Sequence, residues 1–259
     1  VKRWTLSTSL DRSSDPSSRT ATPGQRGPLV RFVADVARPV SSRVRRQITR
    51  RAIGQSGFWF IDIPRTSSSS IRAQLGQRYG VAHGKSSKWL GAAATAQLVP
   101  DHTPATDMIQ LLGEECWSDL FTFSVVRNPW DRSLSLFRWR QRVGNIPSDM
   151  DFDAYLRMLR DDRDHSPYHG HRFCQLDFLT DERGDIAVDF VMRFERRRDD
   201  FRRLRERSGI ELDADVHLVQ TGTEPGYARH FTPDTRRMVA ELYAPDIEAF
   251  GYSFDEDTV

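Results

Sequence analysis

Twice in this sequence a short apolar run leads directly into polar and basic residues and then into a helical pattern. The first stretch is "GFWFIDIPRTSSSSIRAQL", beginning at Gly57, and the second is "DLFTFSVVRNPWDRSLSLF", beginning at Asp119. Runs of aromatic and β-branched residues predict buried strands. Pro64 ends the pairing of the first strand, and Pro129 suits the first turn of a helix. Two strand–loop–helix units favour an α/β domain with a parallel sheet.

The rest of the chain continues this alternation. "DFDAYLRMLRD" and "RRRDDFRRLRERSG" predict helices, the second ending at Gly209, and "GDIAVDFVMRFE" between them predicts a turn and a strand. "TPDTRRMVAELYAPDIEAF" predicts a C-terminal helix that Pro245 bends or divides. The helical side chains that we expect to face the core are Leu134, Phe137, Val143, Val239, Leu242 and Tyr243.

Charge is distributed unevenly along the chain. Residues 1–56 carry 12 Lys and Arg against 3 Asp and Glu, a net of +9, which leaves −7 for the remainder of a chain whose total is +2. This first part is rich in Ser, Thr, Pro, Gly and Arg, so it has too little apolar surface to offset the entropy cost of ordering. We therefore predict a basic, disordered N-terminal arm over 1–56 and an α/β domain over 57–259.

We interpret the arm as a solvated tail, with a nucleic-acid contact or a peripheral contact with anionic lipid as the alternatives. No window approaches the ~18 uninterrupted apolar residues of a membrane span, and the N-terminus has no apolar block like a secretory signal. Cys116 and Cys174 are the only cysteines, and nothing requires them to pair. A soluble protein in the cytoplasm is therefore the expectation.

Both strand exits have the groups needed to bind an anion. Parallel sheets bind ligands at the carboxyl ends of their strands, and a helix N-terminus offers unpaired N–H groups and partial positive charge. Arg65 and five hydroxyls follow the first strand; Arg127 ends the second, with Ser135 about two turns along the helix. A phosphate or sulfate fits there. Each exit also has a plainer interpretation: a serine-rich loop that caps a helix, and an ion pair between Arg127 and Asp131.

Together the two units resemble the sulfotransferases that use 3′-phosphoadenosine 5′-phosphosulfate (PAPS). "FIDIPRTSSSSI" is similar to their 5′-phosphosulfate loop, usually IPKTGGTS, and "FSVVRNPWDRSLSLF" is similar to their 3′-phosphate motif, usually FVRNPWDRLVSLY. "DFLTDERGDIAVDFVMRFERRRDDF" and "LYAPDIEAFGYSF" resemble later parts of the carbohydrate-type members. The resemblance covers roughly Gly57 to Phe254. It implies a P-loop-like three-layer α/β fold, with a central parallel sheet flanked by helices.

The resemblance also implies an activity: transfer of a sulfuryl group from PAPS, without a metal, to a hydroxyl or amine of a carbohydrate or glycolipid. Arg65 stands where the family's lysine touches the bridging and transferred oxygens, and Arg127 and Ser135 stand where the 3′-phosphate is held. The residues expected around the 5′-phosphate are Thr66, Ser67, Ser68, Ser69 and Ser70.

This chain departs from the family pattern at two places. Arg65 replaces the lysine, and Ser67 and Ser68 replace a Gly-Gly pair that lets the backbone approach the ligand closely. A catalytically impaired homologue that still binds PAPS is therefore one alternative. Another is a phosphotransferase of the P-loop kinase type, although the ATP-type GxxxxGK[ST] loop is absent. A nucleic-acid binder is disfavoured because residues 57–259 are acidic and carry no recognition motif.

The acceptor needs a base to take its proton. His102, in "PDHTPATDM", is the candidate because similar family members carry a histidine followed by Thr-Ala there; the alternative is a loop histidine that caps or faces solvent. His83 is the second candidate. Asp62 is interpreted as a structural carboxylate paired with an arginine, and Glu195 likewise. Because the leaving group is a phosphate, its developing charge needs a cation, so Arg65 and His102 are the predicted catalytic residues.

Two further groups of residues could have a function. His169 and His171 lie near Cys174 in "SPYHGHRFCQ", but a metal site would need another ligand, so we predict a substrate-side loop and no metal. Trp130 and Trp139 are core or cleft residues that could line a groove for a small-molecule or glycan acceptor.

Overall fold

Three parallel strands form the centre of the domain. The computed structural model describes residues 47, 50, 51, 53–81, 99–161, 174–216 and 226–255. The strands are β1 (Phe58–Ile61), β2 (Phe121–Val126) and β3 (Phe190–Arg193), and they are hydrogen-bonded in the order β1-β2-β3. The strands predicted from the apolar runs are thereby confirmed.

The register aligns the three strands so that they end at one edge. Phe123 of β2 lies opposite Phe60 of β1 and Phe190 of β3, and the Phe60 and Phe123 ring centroids are 5.3 Å apart. All four residues of β1 are buried, as expected for a central sheet covered on both faces. The segments that follow the three strands are therefore neighbours at the carboxyl edge of the sheet.

Helices flank this sheet in a P-loop-like, three-layer α/β arrangement. Two single-turn 3₁₀ helices span Phe194–Arg196 and Tyr227–His230. The α-helices are α1 (Ser68–Tyr79), α2 (Ala105–Leu112), α3 (Glu114–Ser118), α4 (Pro129–Arg142), α5 (Phe152–Asp161), α6 (Leu176–Leu179), α7 (Arg197–Ser208), α8 (Pro233–Leu242) and α9 (Ala244–Phe250).

The start of α4 is fixed by the sequence Asn-Pro. Pro129 occupies the first helical position, where its missing N–H costs nothing, and the Asn128 side chain accepts a hydrogen bond from the Trp130 N–H at 3.1 Å. The Asn128 amide also donates to the carbonyl of Ser253 at 2.9 Å. This asparagine therefore ties the beginning of α4 to the C-terminal segment.

The apolar stripes were predicted correctly except at one residue. Leu134 and Phe137 of α4 are buried, whereas Val143 is 46 % exposed, because α4 ends at Arg142 and the helical periodicity stops there. The C-terminal helix is divided at Tyr243, one residue before α9 begins. The predicted stripe residues of that region, Val239, Leu242 and Tyr243, are all buried.

Most of the predicted arm, residues 1–56, lies outside the described part of the chain, so its disorder stays a prediction. Residues 53–56 are helical, and Ile53 packs into the hydrophobic core. Within the described residues, no helix combines the length and the apolar character that crossing a membrane requires.

Candidate active site

The loop after β1 turns sharply because two of its residues have a left-handed backbone. Arg65 has φ 69° and Ser67 has φ 71°, whereas Thr66 between them does not have a positive φ. A residue with a Cβ pays about 1–2 kcal/mol in this region, and alternation of this kind turns successive N–H groups toward one point, as in anion-binding nests. Ser67 thus holds a conformation that glycine adopts freely.

Several hydroxyls of this loop already interact with the protein. The Thr66 hydroxyl donates to the carbonyl of Ile63 at 2.9 Å, and the Ser68 hydroxyl lies close enough to Asp62 to lower the pKa of that carboxyl. Ser67 is the N-cap of α1, but its side chain makes no capping hydrogen bond, so the alternative interpretation of a serine side chain that caps the helix is wrong for Ser67. The Ser70 N–H already donates to the Ser67 carbonyl at 3.0 Å, so the N–H groups that the helix start can offer a ligand are those before Ser70.

The last two serines of the run differ in exposure. Ser69 is exposed and Ser70 is buried, since successive residues of a helix point in directions about 100° apart. The loop can therefore offer a ligand mainly its backbone N–H groups and the Ser69 hydroxyl.

Arg65 and Arg127 join the two predicted loops into one site. Arg127 is only 3 % exposed, and its Nη1 donates to the carbonyl oxygen of Arg65 at 3.1 Å. Arg65 in turn donates from Nε and Nη2 to the Ser135 hydroxyl at 3.2 and 3.1 Å. The structure therefore brings Arg65, Arg127 and Ser135 together.

The predicted alternative for Arg127, an ion pair, is also present. Its Nε donates to Asp131 Oδ2 at 2.7 Å. Within the described part of the chain, however, the buried Nη2 of Arg127 has no hydrogen-bond partner. Asp131 thus accepts from Nε and the Arg65 carbonyl from Nη1, which leaves the charged donor Nη2 unsatisfied by any described residue.

Like charges accumulate around Arg65. Burial lowers the pKa of Arg65, and the neighbouring charges of Arg127, Arg142 and Arg132 lower it further, to about 10. Cations held this close repel one another, and an anion bound among them would relieve that repulsion. The site is therefore electrostatically suited to a ligand with several negative charges.

Arg132 is a buried residue that hydrogen-bonds to the backbone of the first loop. It is 2 % exposed, and its Nε donates to the carbonyl of Pro64 at 3.1 Å. Its guanidinium carbon lies 5.9 Å from the ring centroid of Tyr243. Arg132 lies within the second motif, but its role could not be predicted from the sequence.

The exit of β3 adds an arginine that sequence analysis missed. Arg197, the first residue of α7, donates from Nη1 to the Ser67 hydroxyl at 3.3 Å. Its guanidinium carbon lies 5.6 Å from the ring centroid of Phe194, and the guanidinium carbon of Arg127 lies 4.2 Å from the same centroid. The sequence signal was a basic residue just after a strand, but it was hidden in a run of three arginines.

Glu195 has a different partner from the one predicted. Its carboxylate accepts from the backbone N–H of Asn128 at 2.5 Å and from the Tyr252 hydroxyl at 3.2 Å, not from an arginine. Burial raises the pKa of Glu195. The carboxylate thus holds the beginning of α4, which agrees with a structural role.

His102 lies beside the end of β1, in contact with Asp62. Its Nδ1 is 3.1 Å from the Asp62 carbonyl oxygen and 3.3 Å from Asp62 Oδ2. The same carboxylate pairs with Arg72 at 2.7 Å, and Arg72 also pairs with Asp101 at 2.5 Å. The predicted pairing of Asp62 with an arginine is therefore confirmed.

The two groups shift each other's pKa. Burial alone would lower the pKa of His102, but the Asp62 carboxylate outweighs it and raises the pKa above 6.5. Burial alone would raise the pKa of Asp62, but His102 and Arg72 lower it to about 2. A histidine oriented by an ionised carboxylate in this way is the usual arrangement of a general base.

The His102 ring is accessible from a small pocket. Its side chain is 33 % exposed, and the pocket is lined by Trp59, Phe60, Asp62, Arg72, Val99, Pro100, Asp101, His102 and Thr103. The base candidate therefore opens toward a space next to β1 and the segment that precedes α2.

Trp130 and the remaining histidine candidates are either buried in the core or outside the described residues. Trp130 is buried and donates to the carbonyl of Arg236 at 3.0 Å, so it is a core residue. His83, His169 and His171 lie outside the described residues. In the part of the chain that is described, no group of three or more His, Cys, Asp or Glu is placed to hold a metal ion.

Comparison with known proteins adds one finding. The model of the sulfotransferase family matches residues 92–253. That span is more than half of the chain; it includes His102, Arg127, Ser135 and Arg197, and it begins after the first loop. No curated protein and no solved structure matches the chain.

Proposed function

The chain belongs to the sulfotransferase family, and from this premise we propose that it transfers a sulfuryl group from PAPS to a hydroxyl or amine of a carbohydrate or glycolipid acceptor. Family membership supports sulfuryl transfer in general. The donor, the acceptor class and the residue roles are our inference from the chemistry of the site.

One observation carries the choice of donor. Among the described residues, the buried Nη2 of Arg127 has no hydrogen-bond partner, although an unsatisfied buried donor costs about 1–3 kcal/mol and more when it is charged. A phosphate oxygen would satisfy it. Arg65 contacts Arg127 through its carbonyl oxygen and Ser135 through its guanidinium, so a ligand with an anionic group at each end suits the two adjoining loops. PAPS has such groups at its 3′ and 5′ positions.

In this proposal Arg127 and Ser135 hold the 3′-phosphate, and the backbone N–H groups of residues 66–69 hold the 5′-phosphate. Arg65 exchanges its contact with Ser135 for the oxygens of the phosphosulfate. PAPS supplies the sulfuryl group, and its 5′-phosphate is the leaving group. Arg65 stabilises the negative charge that develops on that phosphate as the sulfur–oxygen bond breaks.

His102 removes the proton from the attacking acceptor group. Because Asp62 occupies Nδ1, the nitrogen available to the acceptor is Nε2. Asp62 fixes the ring and stabilises the imidazolium that forms. A cytoplasmic location and a solvated N-terminal arm remain predictions beside this mechanism.

Thermal unfolding with two ligands tests the donor. Adenosine 3′,5′-bisphosphate should stabilise the protein, since a ligand that binds only the folded state adds about 2.7 kcal/mol at a hundredfold excess over its Kd. ATP with magnesium should give no comparable shift. Stabilisation by ATP and magnesium alone would replace this proposal with a phosphotransferase.

Variants show whether the stabilisation arises at this site. Arg127→Ala should abolish the shift with the bisphosphate. Arg157→Ala removes an equally charged but exposed side chain on α5, and its shift should equal that of the unaltered protein. An undiminished shift in Arg127→Ala would remove Arg127 from the site.

A further inference from the structure

Each of the three parallel strands is followed by an arginine at the same edge of the sheet. Arg65 follows β1, Arg127 follows β2 and Arg197 follows β3. We propose that Arg197 is a third donor-binding cation, which contacts the 5′-phosphosulfate end of the donor. This inference rests on the proposed function and adds to it a residue that the two loops do not contain.

The contact between Arg197 and Ser67 places the guanidinium at the first loop. The distance from Nη1 to the Ser67 hydroxyl is 3.3 Å, which is at the long end for a hydrogen bond, and its acceptor is neutral. An anionic oxygen on the same loop would be a stronger acceptor for this donor. Because Ser67 belongs to the turn with the left-handed backbone, the guanidinium lies on the 5′ side of the site.

The ring of Phe194 contacts the guanidinium groups of two of the arginines. The guanidinium carbons of Arg127 and Arg197 are 4.2 and 5.6 Å from its centroid, distances at which a cation is attracted to an aromatic face. Burial lowers the pKa of Arg197, and Arg127 contributes to lowering it. Phe194 thus keeps Arg197 near a second cation, Arg127. The two positive charges repel each other, and a bound anion would offset that repulsion.

The next residue provides a matched control. Arg198 has the same charge and lies on the same helix, but its side chain is 80 % exposed and pairs with Asp215 at 2.7 Å. A general effect of positive charge on an anionic ligand would therefore be similar for both arginines, whereas a direct contact would be lost only with Arg197.

The experiment measures the affinity of two ligands by calorimetry. Adenosine 3′,5′-bisphosphate has both phosphates, and adenosine 3′-monophosphate lacks the 5′ group. Arg197→Ala should weaken the bisphosphate by about 10-fold or more, the usual loss for a hydrogen bond to a charged group, and leave the affinity of the monophosphate within about twofold. Arg198→Ala should leave both affinities within about twofold.

A second variant guards against a folding defect. Arg197→Lys keeps the charge but lacks the forked donors, so it should recover part of the lost affinity. Unchanged bisphosphate binding in Arg197→Ala, equal losses for both ligands, or equal losses in Arg197→Ala and Arg198→Ala would overturn the inference alone. Failure of the unaltered protein to bind the bisphosphate would overturn the proposed function and the inference with it.

Discussion

Replacing Asp62 by asparagine should lower the pKa of His102 without moving its ring. Nδ1 of His102 contacts both the carbonyl oxygen of Asp62 at 3.1 Å and its carboxylate at 3.3 Å. The substitution removes the carboxylate charge and keeps the carbonyl contact. Arg72 keeps its pairing with Asp101 at 2.5 Å, so the change does not leave this buried arginine without a partner.

The size of the shift follows from the contact. A hydrogen bond to a charged group is worth about 1.5–3 kcal/mol, and one pKa unit corresponds to about 1.4 kcal/mol. Because the His102 side chain is 33 % exposed, solvent screening places the expected shift at the lower end, about one unit. The carboxylate stabilises the protonated ring, so its removal lowers the pKa, and the neutral base becomes available at lower pH.

The pH dependence of kcat/KM reports this pKa, since it follows the base of the free enzyme. The acidic limb of the profile should move to lower pH by about one unit in Asp62→Asn. Asp101→Asn is the control, because Asp101 pairs with Arg72 and not with His102; its limb should stay in place. An unmoved limb in Asp62→Asn, or the same shift in both variants, would refute the reasoning.

Stability provides an independent readout of the same substitution. The pKa of Asp62 is lowered from 3.8 to about 2, so the ionised carboxylate stabilises the fold above about pH 4, and this stability is lost as the pH falls toward 2. The contribution is about 2 kcal/mol. Asp62→Asn should therefore have a lower free energy of unfolding at neutral pH, with a difference that shrinks in acid; a difference independent of pH would contradict the linkage.

Three further predictions concern single residues of the site. His102→Ala should retain binding of adenosine 3′,5′-bisphosphate but lose turnover; normal turnover would assign the base to another residue. Arg65→Ala should lower the single-turnover rate with PAPS about 100-fold, and an unchanged rate would deny it a part in stabilising the leaving group. Ser67→Gly relieves the strain at φ 71° but makes the unfolded chain more flexible. Its free energy of unfolding in urea should therefore exceed that of Ser67→Ala by up to about 1 kcal/mol. A Gly variant clearly less stable than the Ala variant would show that the turn is not strained.

Much of the fold could be predicted because local patterns decided it. The apolar runs became β1 and β2, Gly80 and Gly209 end helices with a left-handed backbone, and Pro129 begins α4. Val143 was assigned to the core because periodicity alone carries no information on where a helix stops. That endpoint depends on the turn that follows Arg142.

The sequence predicted which site residues meet, but not which atoms they use. Arg65, Arg127 and Ser135 come together because neighbouring parallel strands end at one edge. The choice of Ser135 as the partner of Arg65, and of the Ile63 carbonyl as the partner of Thr66, depends on rotamers that tertiary packing selects.

Arg197 shows a different limit of sequence reasoning. It lies among three consecutive arginines, and a charged helix exposed to solvent was the natural interpretation of "RRRDDFRRLRERSG". The strand order β1-β2-β3 brings the exit of β3 to the site. The contact with Ser67 distinguishes Arg197 from Arg198, which is exposed and pairs with Asp215.

A crystal structure with adenosine 3′,5′-bisphosphate tests the donor site most directly. The account predicts the 3′-phosphate on Nη2 of Arg127 and on the Ser135 hydroxyl, with the 5′-phosphate over the N–H groups of residues 66–69. A nucleotide bound away from this edge of the sheet, or bound with its two phosphates exchanged, would contradict it.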